Sequence, residues 1–385
     1  MKGRIAALSL RMGLCAMLLT GIGLANPRLA ERLGFSLAQQ GFLVSLEYVS
    51  FTAFVLAGGF LCTRFGAPAV LRASLAATAA AFALVALAWD YASAAAGVLL
   101  VGAAGSILEN ALMDLSMEDP ATRDRDGLVV QSAFAVGAML LPASLFAAVT
   151  WFSDWRIPYL AAGAASLLLA VPASRGLSAR PRPTQRIPLR QALRPYGAFL
   201  RRPRNLVVPV ALLFYVGAEV GIYAFAPALL EKSGLGIVSG LLATTLVFLF
   251  MMAGRLAAAR ALARVRILPI LFAAGALAVA ALVLLLGLPG AWAIPALALA
   301  GFACGPFYPL LLSHMAETLG ESGGAPLAVA MATATLGPVI FGGVAGTLGD
   351  AIGPRAMMLP PLACFAAILL LLARFGTARG RRAAS

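Results

Sequence analysis

Residues 175–204 read "RGLSARPRPTQRIPLRQALRPYGAFLRRPR", with nine arginines, five prolines and no acid. Proline breaks helices and hydrocarbon rejects that much charge, so this stretch does not cross a membrane. On each side of it lie six apolar runs of about 20 residues, long enough as helix to span a ~30 Å hydrocarbon core. A basic linker between two equal sets of runs decides the fold. It is expected on the cytoplasmic side as tether and orientation signal, with a surface helix near 188–200. Recognition of anionic lipid is its lesser alternative.

Composition agrees. The 385 residues are 62% hydrophobic and 11% charged, with mean hydropathy +0.94. Soluble domains carry about 25% charged residues, and one this apolar could not hide its surface. Helices are predicted at 6–28, 39–62, 68–89, 92–117, 127–150, 156–174, 205–230, 236–260, 266–288, 291–315, 325–348 and 355–374. The chain therefore reads as an all-α membrane protein with twelve transmembrane helices in two six-helix bundles. Residues 1–174 form one bundle, 175–204 the linker and 205–385 the other.

A net charge of +14 invites a nucleic-acid reading, which the positions of the charges exclude. With the N-terminus inside, 23 of the 29 basic residues fall on cytoplasmic segments, five on outer loops, and Arg11 within the first helix. That bias is the positive-inside rule. Trp89, Trp151, Trp155 and Trp292 all fall at predicted outer helix ends, as an interfacial aromatic belt would. The expectation is a monomer among membrane lipids, multi-pass in a cell membrane (the bacterial inner membrane), with both termini cytoplasmic. Lys2 and Arg4 before an apolar run mimic a signal peptide, but eleven further runs favour an uncleaved first helix. Cys15, Cys62, Cys304 and Cys364 are scattered and read as small buried hydrophobes, not as disulfide or metal ligands.

The halves look like repeats. Gly21 and Pro27 of the first helix match Gly221 and Pro227 of the seventh. Asp154 and Arg156 follow the fifth helix, while Gly346, Asp350, Gly353 and Arg355 follow the eleventh. Gly102 and Gly105 of the fourth answer Gly301, Gly305, Pro306 and Pro309 of the tenth. Glycine and proline interruptions at corresponding places point to a transporter's central site.

On these features the chain resembles the major facilitator superfamily. "GGFLCTRFG" (58–66) is similar to the superfamily's loop 2–3 signature G-x-x-x-D-R-x-G-R-K, through Gly59, Arg64 and Gly66. Thr63 stands where the family has Asp, and Ala67 and Pro68 where it has a basic pair. The resemblance implies a gating motif there, with Arg255, Asp350 and Gly353 as counterparts in the second half. "FYVGAEVGIYAF" (214–225) resembles the helix-seven motif of the fucose:proton symporter branch, and "GSILENAL" (105–112) its helix-four stretch. That match places Glu109 on the branch's functional Glu. It departs at Met113, where the branch has Asn, and at Gly23, where the branch has the helix-one Asp.

Intramembrane acids are the candidate chemistry. Glu219 is 14 residues into a predicted 26-residue helix, where a charge costs at least ~2.5–3.5 kcal/mol. Hydrocarbon favours the neutral acid, so a site alternately wet and dry loads and releases a proton. Glu109, in the inner half of the fourth helix, is a second candidate for proton or substrate contact. Glu47, about 8 residues from the outer end of the second, is a third, as an outer gate or proton site. Asn26, Asn110, Gln131, Tyr215, Tyr223 and Tyr308 are candidate cavity groups, because helix-centre amides and hydroxyls need partners; packing glue is their alternative. Arg11 is expected to snorkel to the cytoplasmic interface, Asp114 to be solvated, and His314 to be structural or solvent-facing.

Enzyme readings fail for want of HExxH, GxSxG or a P-loop. Asn110, Asp114, Glu118 and Asp119 could hold Mg²⁺, but a diphosphate enzyme needs a second acidic cluster. The expectation is not an enzyme: no cofactor and no metal, but a small-molecule substrate with protons as coupling ion. Helix five, "AVGAMLLPAS" (135–144), lacks the spacing of the superfamily's antiporter signature G-x8-G-x3-G-P-x2-G-G. The expected function is proton-coupled symport of a small polar, sugar-like solute by alternating access. Proton-driven efflux of a drug or metabolite is the alternative.

Overall fold

Apolar runs fold as helix because hydrocarbon leaves backbone N–H and C=O groups no partner but each other. The computed structural model describes residues 2–116, 123–170, 199–288, 290–319 and 325–376. Its first six helices are α1 (Lys2–Leu33), α2 (Leu37–Phe65), α3 (Ala67–Leu87), α4 (Tyr91–Ser116), α5 (Arg123–Phe152) and α6 (Arg156–Ala170). The rest are α7 (Val207–Lys232), α8 (Gly236–Ala261), α9 (Ile267–Gly287), α10a (Ala293–Cys304), α10b (Phe307–Leu319), α11 (Ala325–Ile352) and α12 (Leu359–Gly376). Eleven spans are long and apolar enough to cross a membrane; α6 is shorter, and the predicted continuation to 174 lies outside the described residues.

The tenth span differs from expectation. It was predicted as one helix over 291–315 and is broken between Cys304 and Phe307. Pro306 and Pro309 each lack an N–H, so the carbonyls four residues earlier, Phe302 and Gly305, lose their helical donors. The Gly305 N–H keeps its helical acceptor, the Gly301 carbonyl (3.2 Å), and is shared with the orphaned Phe302 carbonyl (3.3 Å).

The chain divides into two compact units, Met1–Thr184 and Gln185–Ser385. The division falls inside the expected linker, most of which lies outside the described residues together with most of the surface helix expected at 188–200. Within the first unit α1 packs on α5, α2 on α4, and α3 on α4 and α6. Within the second α7 packs on α11, α8 on α10a, and α9 on α10a and α12. The pairings repeat helix for helix.

Close backbone approaches fix the register of this repeat. A Cβ on Gly137 would overlap the Gly13 backbone, and one on Gly337 the Leu213 carbonyl. Gly102 lies as close to the Glu47 carbonyl as Gly301 does to that of Val247. These seams align position 13 with 213, 47 with 247, 102 with 301 and 137 with 337. Only a missing side chain lets helix backbones meet at this distance.

Helix ends have local causes. Ser36 and Gln39 form a reciprocal capping box at the start of α2. Gly66 (φ +82°) turns α2 into α3, and Gly353 (φ +107°) follows α11; both conformations disfavour any side chain. Arginines donate to backbone carbonyls of neighbouring helices. Arg4 donates to the Leu115 carbonyl of α4 (2.8 Å), Arg11 to Leu169 of α6 (2.9 Å), and Arg355 to Leu286 in the last turn of α9 (3.2 Å). A cation there satisfies a lone pair and the negative end of the helix dipole. The basic residues thus do structural work beyond orientation. Arg11 reaches an end of the bundle as snorkelling implies, yet stops on carbonyls, 4% exposed, rather than in water.

Large apolar side chains cover the outside, among them Phe42, Phe60, Leu140, Leu168 and Leu370. Lipid accepts such a surface and water would not. Trp89, Trp151 and Trp292 are exposed beside helix ends, as a belt requires. All four cysteines are buried and free.

Candidate functional site

In the first unit, Glu109 is half-buried on α4, and the Gln131 side chain from α5 lies close enough to act on its carboxyl. Cys15 of α1 lies within reach of its charge and donates its own Sγ–H to the Gly105 carbonyl (3.4 Å). Three helices therefore present an acid, an amide and a thiol to one another. Asn110 is next in sequence and points elsewhere. Its amide nitrogen donates to the Val55 carbonyl of α2 (3.1 Å) and the Ser106 carbonyl (2.9 Å), over the space left by Gly58. One donor holds α4 to α2 and the other is spent on α4's own backbone.

Glu47 is not at an outer mouth. It is 0% exposed inside the first unit, with both carboxyl oxygens lacking a hydrogen-bond partner. Tyr159 of α6 feels its charge while donating to the Gly21 carbonyl (2.6 Å). Asn26 donates to the Gln40 carbonyl (3.0 Å), and the side-chain oxygens of Asn26 and Gln40 are buried without a partner. Gln40 lies two turns from Glu47 on the same face of α2, so the first unit keeps a line of acceptors in its interior. Sequence reasoning missed Gln40 and Tyr159, because neither stands out by charge.

In the second unit, Glu219 is half-buried in the middle of α7, with the Tyr215 hydroxyl one turn away facing its carboxyl. The two groups are neighbours without a hydrogen bond of standard geometry, since the buried hydroxyl has no such partner. Arg255 of α8 acts electrostatically on the carboxyl, and Cys304 at the end of α10a is the third neighbour. The Tyr215 ring is fully buried and stacks on Phe307 of α10b (centroids 5.4 Å apart, 16° between planes). Glu219 thus neighbours Cys304 on one side of the break in the tenth helix, and Phe307 on the other side backs the Tyr215 ring beside it. Tyr223 instead packs on Phe248 within the second unit (5.1 Å), and Tyr308 is half-buried at the start of α10b.

The gating motif separates into different environments. Gly59 is exposed with nothing near its Cα side, Arg64 is exposed over the Phe65 ring (5.7 Å), and Gly66 makes the turn. Arg255 is not their loop counterpart: it lies inside α8, and the repeat aligns it with Val55 rather than with Arg64. Its Nε donates to the Gly305 carbonyl (3.2 Å). Asp350 is exposed on the last turn of α11, before Gly353. Glu118 and Asp119 of the magnesium reading lie outside the described residues.

Residues 8–331 match the family model described as Major Facilitator Superfamily. The chain belongs to that superfamily. It is a multi-pass membrane transporter. No curated protein matches it significantly in sequence. Solved structures match it in fold. A point mutant of the nucleoside transporter NupG superposes with TM-score 0.77 at 12% identity, over 96% of this chain and 99% of that one. A bacterial homologue of the human lysosomal transporter Spinster, inward-facing and occupied, gives 0.71 at 13%, over 97% and 95%. A point mutant of the E. coli fucose:proton symporter FucP gives 0.60 at 18%, over 97% and 98%. At these identities the superfamily fold is what the likeness carries; the substrates named belong to those proteins.

Proposed function

We propose that this superfamily member is a proton-coupled symporter of a small polar, sugar-like solute, working by alternating access, with Glu219 and Glu109 as its protonated or solute-contacting groups. The observation that carries the reading is Glu219, an acid held half-buried in mid-helix among a hydroxyl on its own helix and a thiol and a cation on two others. Such a group is expensive in hydrocarbon and is retained for ion or substrate handling. Glu109 with Gln131 supplies a second acid and an adjacent amide, the pairing that orients hydroxyl-bearing cargo. The resemblance of 214–225 to the fucose:proton branch points the same way. In this reading the linker and both termini are cytoplasmic, the chain acts as a monomer, and residues 1–174 and 205–385 are the moving halves. Glu47, sealed in the first unit, stands apart from solute contact.

The test is uptake into proteoliposomes across an imposed pH step, with a panel of labelled sugars and nucleosides. Wild type should accumulate one class and alkalinise the outside as it does so. Glu219→Gln and Glu109→Gln should each lose accumulation by tenfold or more while exchange of solute down its gradient persists. Parental coupling in both variants would sink the assignment. Acid-driven extrusion would favour the efflux alternative, which rests on Gly23 in place of a helix-one acid.

A further inference from the structure

Gly305 is the carbonyl that Pro309 orphans, and the donor that replaces the missing N–H comes from another helix. Arg255 Nε lies 3.2 Å from it, and Nη2 rests on the Met251 sulfur at 3.7 Å. The same guanidinium acts on Glu219 without a direct ion pair among the described residues. The groups facing the Glu219 carboxyl are Tyr215 from its own helix, Arg255 from α8 and Cys304 from α10a; Cys304 is the residue next to Gly305. One cation therefore lies between an acid in α7 and the break in the tenth helix.

The repeat supplies a control within the same molecule. Its register aligns Glu219 with Leu19, Arg255 with Val55, Cys304 with Gly105, Gly305 with Ser106 and Pro309 with Asn110. Leu19 does pack on Gly105, as Glu219 neighbours Cys304. In the first unit there is neither acid nor cation at these places, and α4 runs unbroken from Tyr91 to Ser116. Asn110 bridges there to Val55 and Ser106, doing passively what Arg255 does for Gly305. Acid, cation and helix break occur together in one unit and are absent together from the other.

We infer that Arg255 is a positioning residue that links the charge on Glu219 to the joint between α10a and α10b. With Glu219 protonated, the guanidinium stays on the Gly305 carbonyl and holds the two pieces together. With Glu219 ionised, it is drawn to the carboxylate, the carbonyl loses its donor, and the joint loosens. The proton enters and leaves on Glu219 alone; Arg255 stays charged and moves. The switching half of this inference rests on the reading that Glu219 changes charge during transport.

The test is hydrogen–deuterium exchange of the full-length protein in lipid nanodiscs, read on peptides covering residues 301–312. A charge-assisted hydrogen bond lost from the joint should raise exchange there about tenfold in Arg255→Gln. Arg255→Lys, which keeps the charge without the Nε donor, should raise it as well and serves if Arg255→Gln does not fold. Adding Pro309→Ala should restore protection, since alanine returns an N–H to the Gly305 carbonyl. After correction for intrinsic rates, wild type should exchange faster at high pH than at low pH, and Glu219→Gln should flatten that dependence. Wild-type exchange in both Arg255 variants, or a pH dependence that survives Glu219→Gln, overturns the link. If Glu219→Gln flattens exchange yet transports with parental coupling, the link stands and the coupling assignment falls. If it uncouples transport while the Arg255 variants exchange like wild type, the reverse holds.

Discussion

Replacing Gly337 by alanine should open the seam between α7 and α11. A Cβ there overlaps the backbone carbonyl of Leu213 and sits 2.7 and 3.0 Å from the Gly217 nitrogen and Cα. Backbone cannot rotate away as a side-chain tip can, so two helices of 26 and 28 residues must shift apart. Overpacking of this kind costs about 1–3 kcal/mol. Overlap with backbone puts the cost in the upper part of that range, about 2–3 kcal/mol, and alanine's better helix propensity returns about 1 kcal/mol, leaving a net loss of roughly 1–2 kcal/mol. For a unit near 200 residues that is a fall of about 2–8 °C in melting temperature. The control is Gly59→Ala, also inside a helix, where nothing lies within 4 Å of the added methyl. It should melt at or slightly above wild type. The assay is thermal unfolding in one detergent, followed by alkylation of the four buried cysteines with a fluorogenic maleimide. Equal melting of Gly337→Ala and wild type, or a larger loss in Gly59→Ala, would refute the claim that backbone contact sets the seam.

Three further outcomes follow from the same physics. Asn110→Ala removes one hydrogen bond from α4 to α2 and one to α4's own backbone and should cost about 1–2 kcal/mol of stability, with solute affinity unchanged within threefold; a selective rise in KM would place the amide at the cargo instead. Glu47→Met fills similar volume without two unpartnered buried oxygens, so its melting temperature should rise; a fall would mean the carboxyl has a partner that matters. Asp90 caps α4 through the Ser93 N–H (2.7 Å), and this bond, with the Ser93 hydroxyl, holds its carboxyl below the usual aspartate range. A depressed acid contributes stability above its unfolded value, near about pH 3.9, and loses it as pH falls through the folded value. The melting advantage of wild type over Asp90→Ala should therefore be flat at neutral pH and shrink below about pH 4, and an advantage that grows in acid would refute the cap.

Much of the site was legible as inventory and little of it as geometry. Glu219, Glu109 and Glu47 declare themselves in sequence because any acid in an apolar run is anomalous. Their environments do not: one faces a cation and a helix break, one an amide, and one is buried beside a tyrosine with no hydrogen-bond partner. Arg255 looked like a loop residue by analogy with Arg64, since a motif carries no information about depth along a helix. Arg11 looked like a snorkelling side chain, and only α6 beside it supplied the carbonyl that made burial tolerable.

Sequence by itself determined what hydropathy and charge can express: twelve apolar spans, a basic divide at 175–204, tryptophans at one set of ends, and acids where acids are costly. Those are properties of a segment in a solvent, and each segment meets lipid or water largely alone. Tertiary structure decided which carbonyl each arginine caps, which glycines let backbones touch, and that Asn110 serves packing while Gln131 serves Glu109. Those facts depend on which faces of separate helices meet, and register between helices is set by packing at a distance no local pattern records.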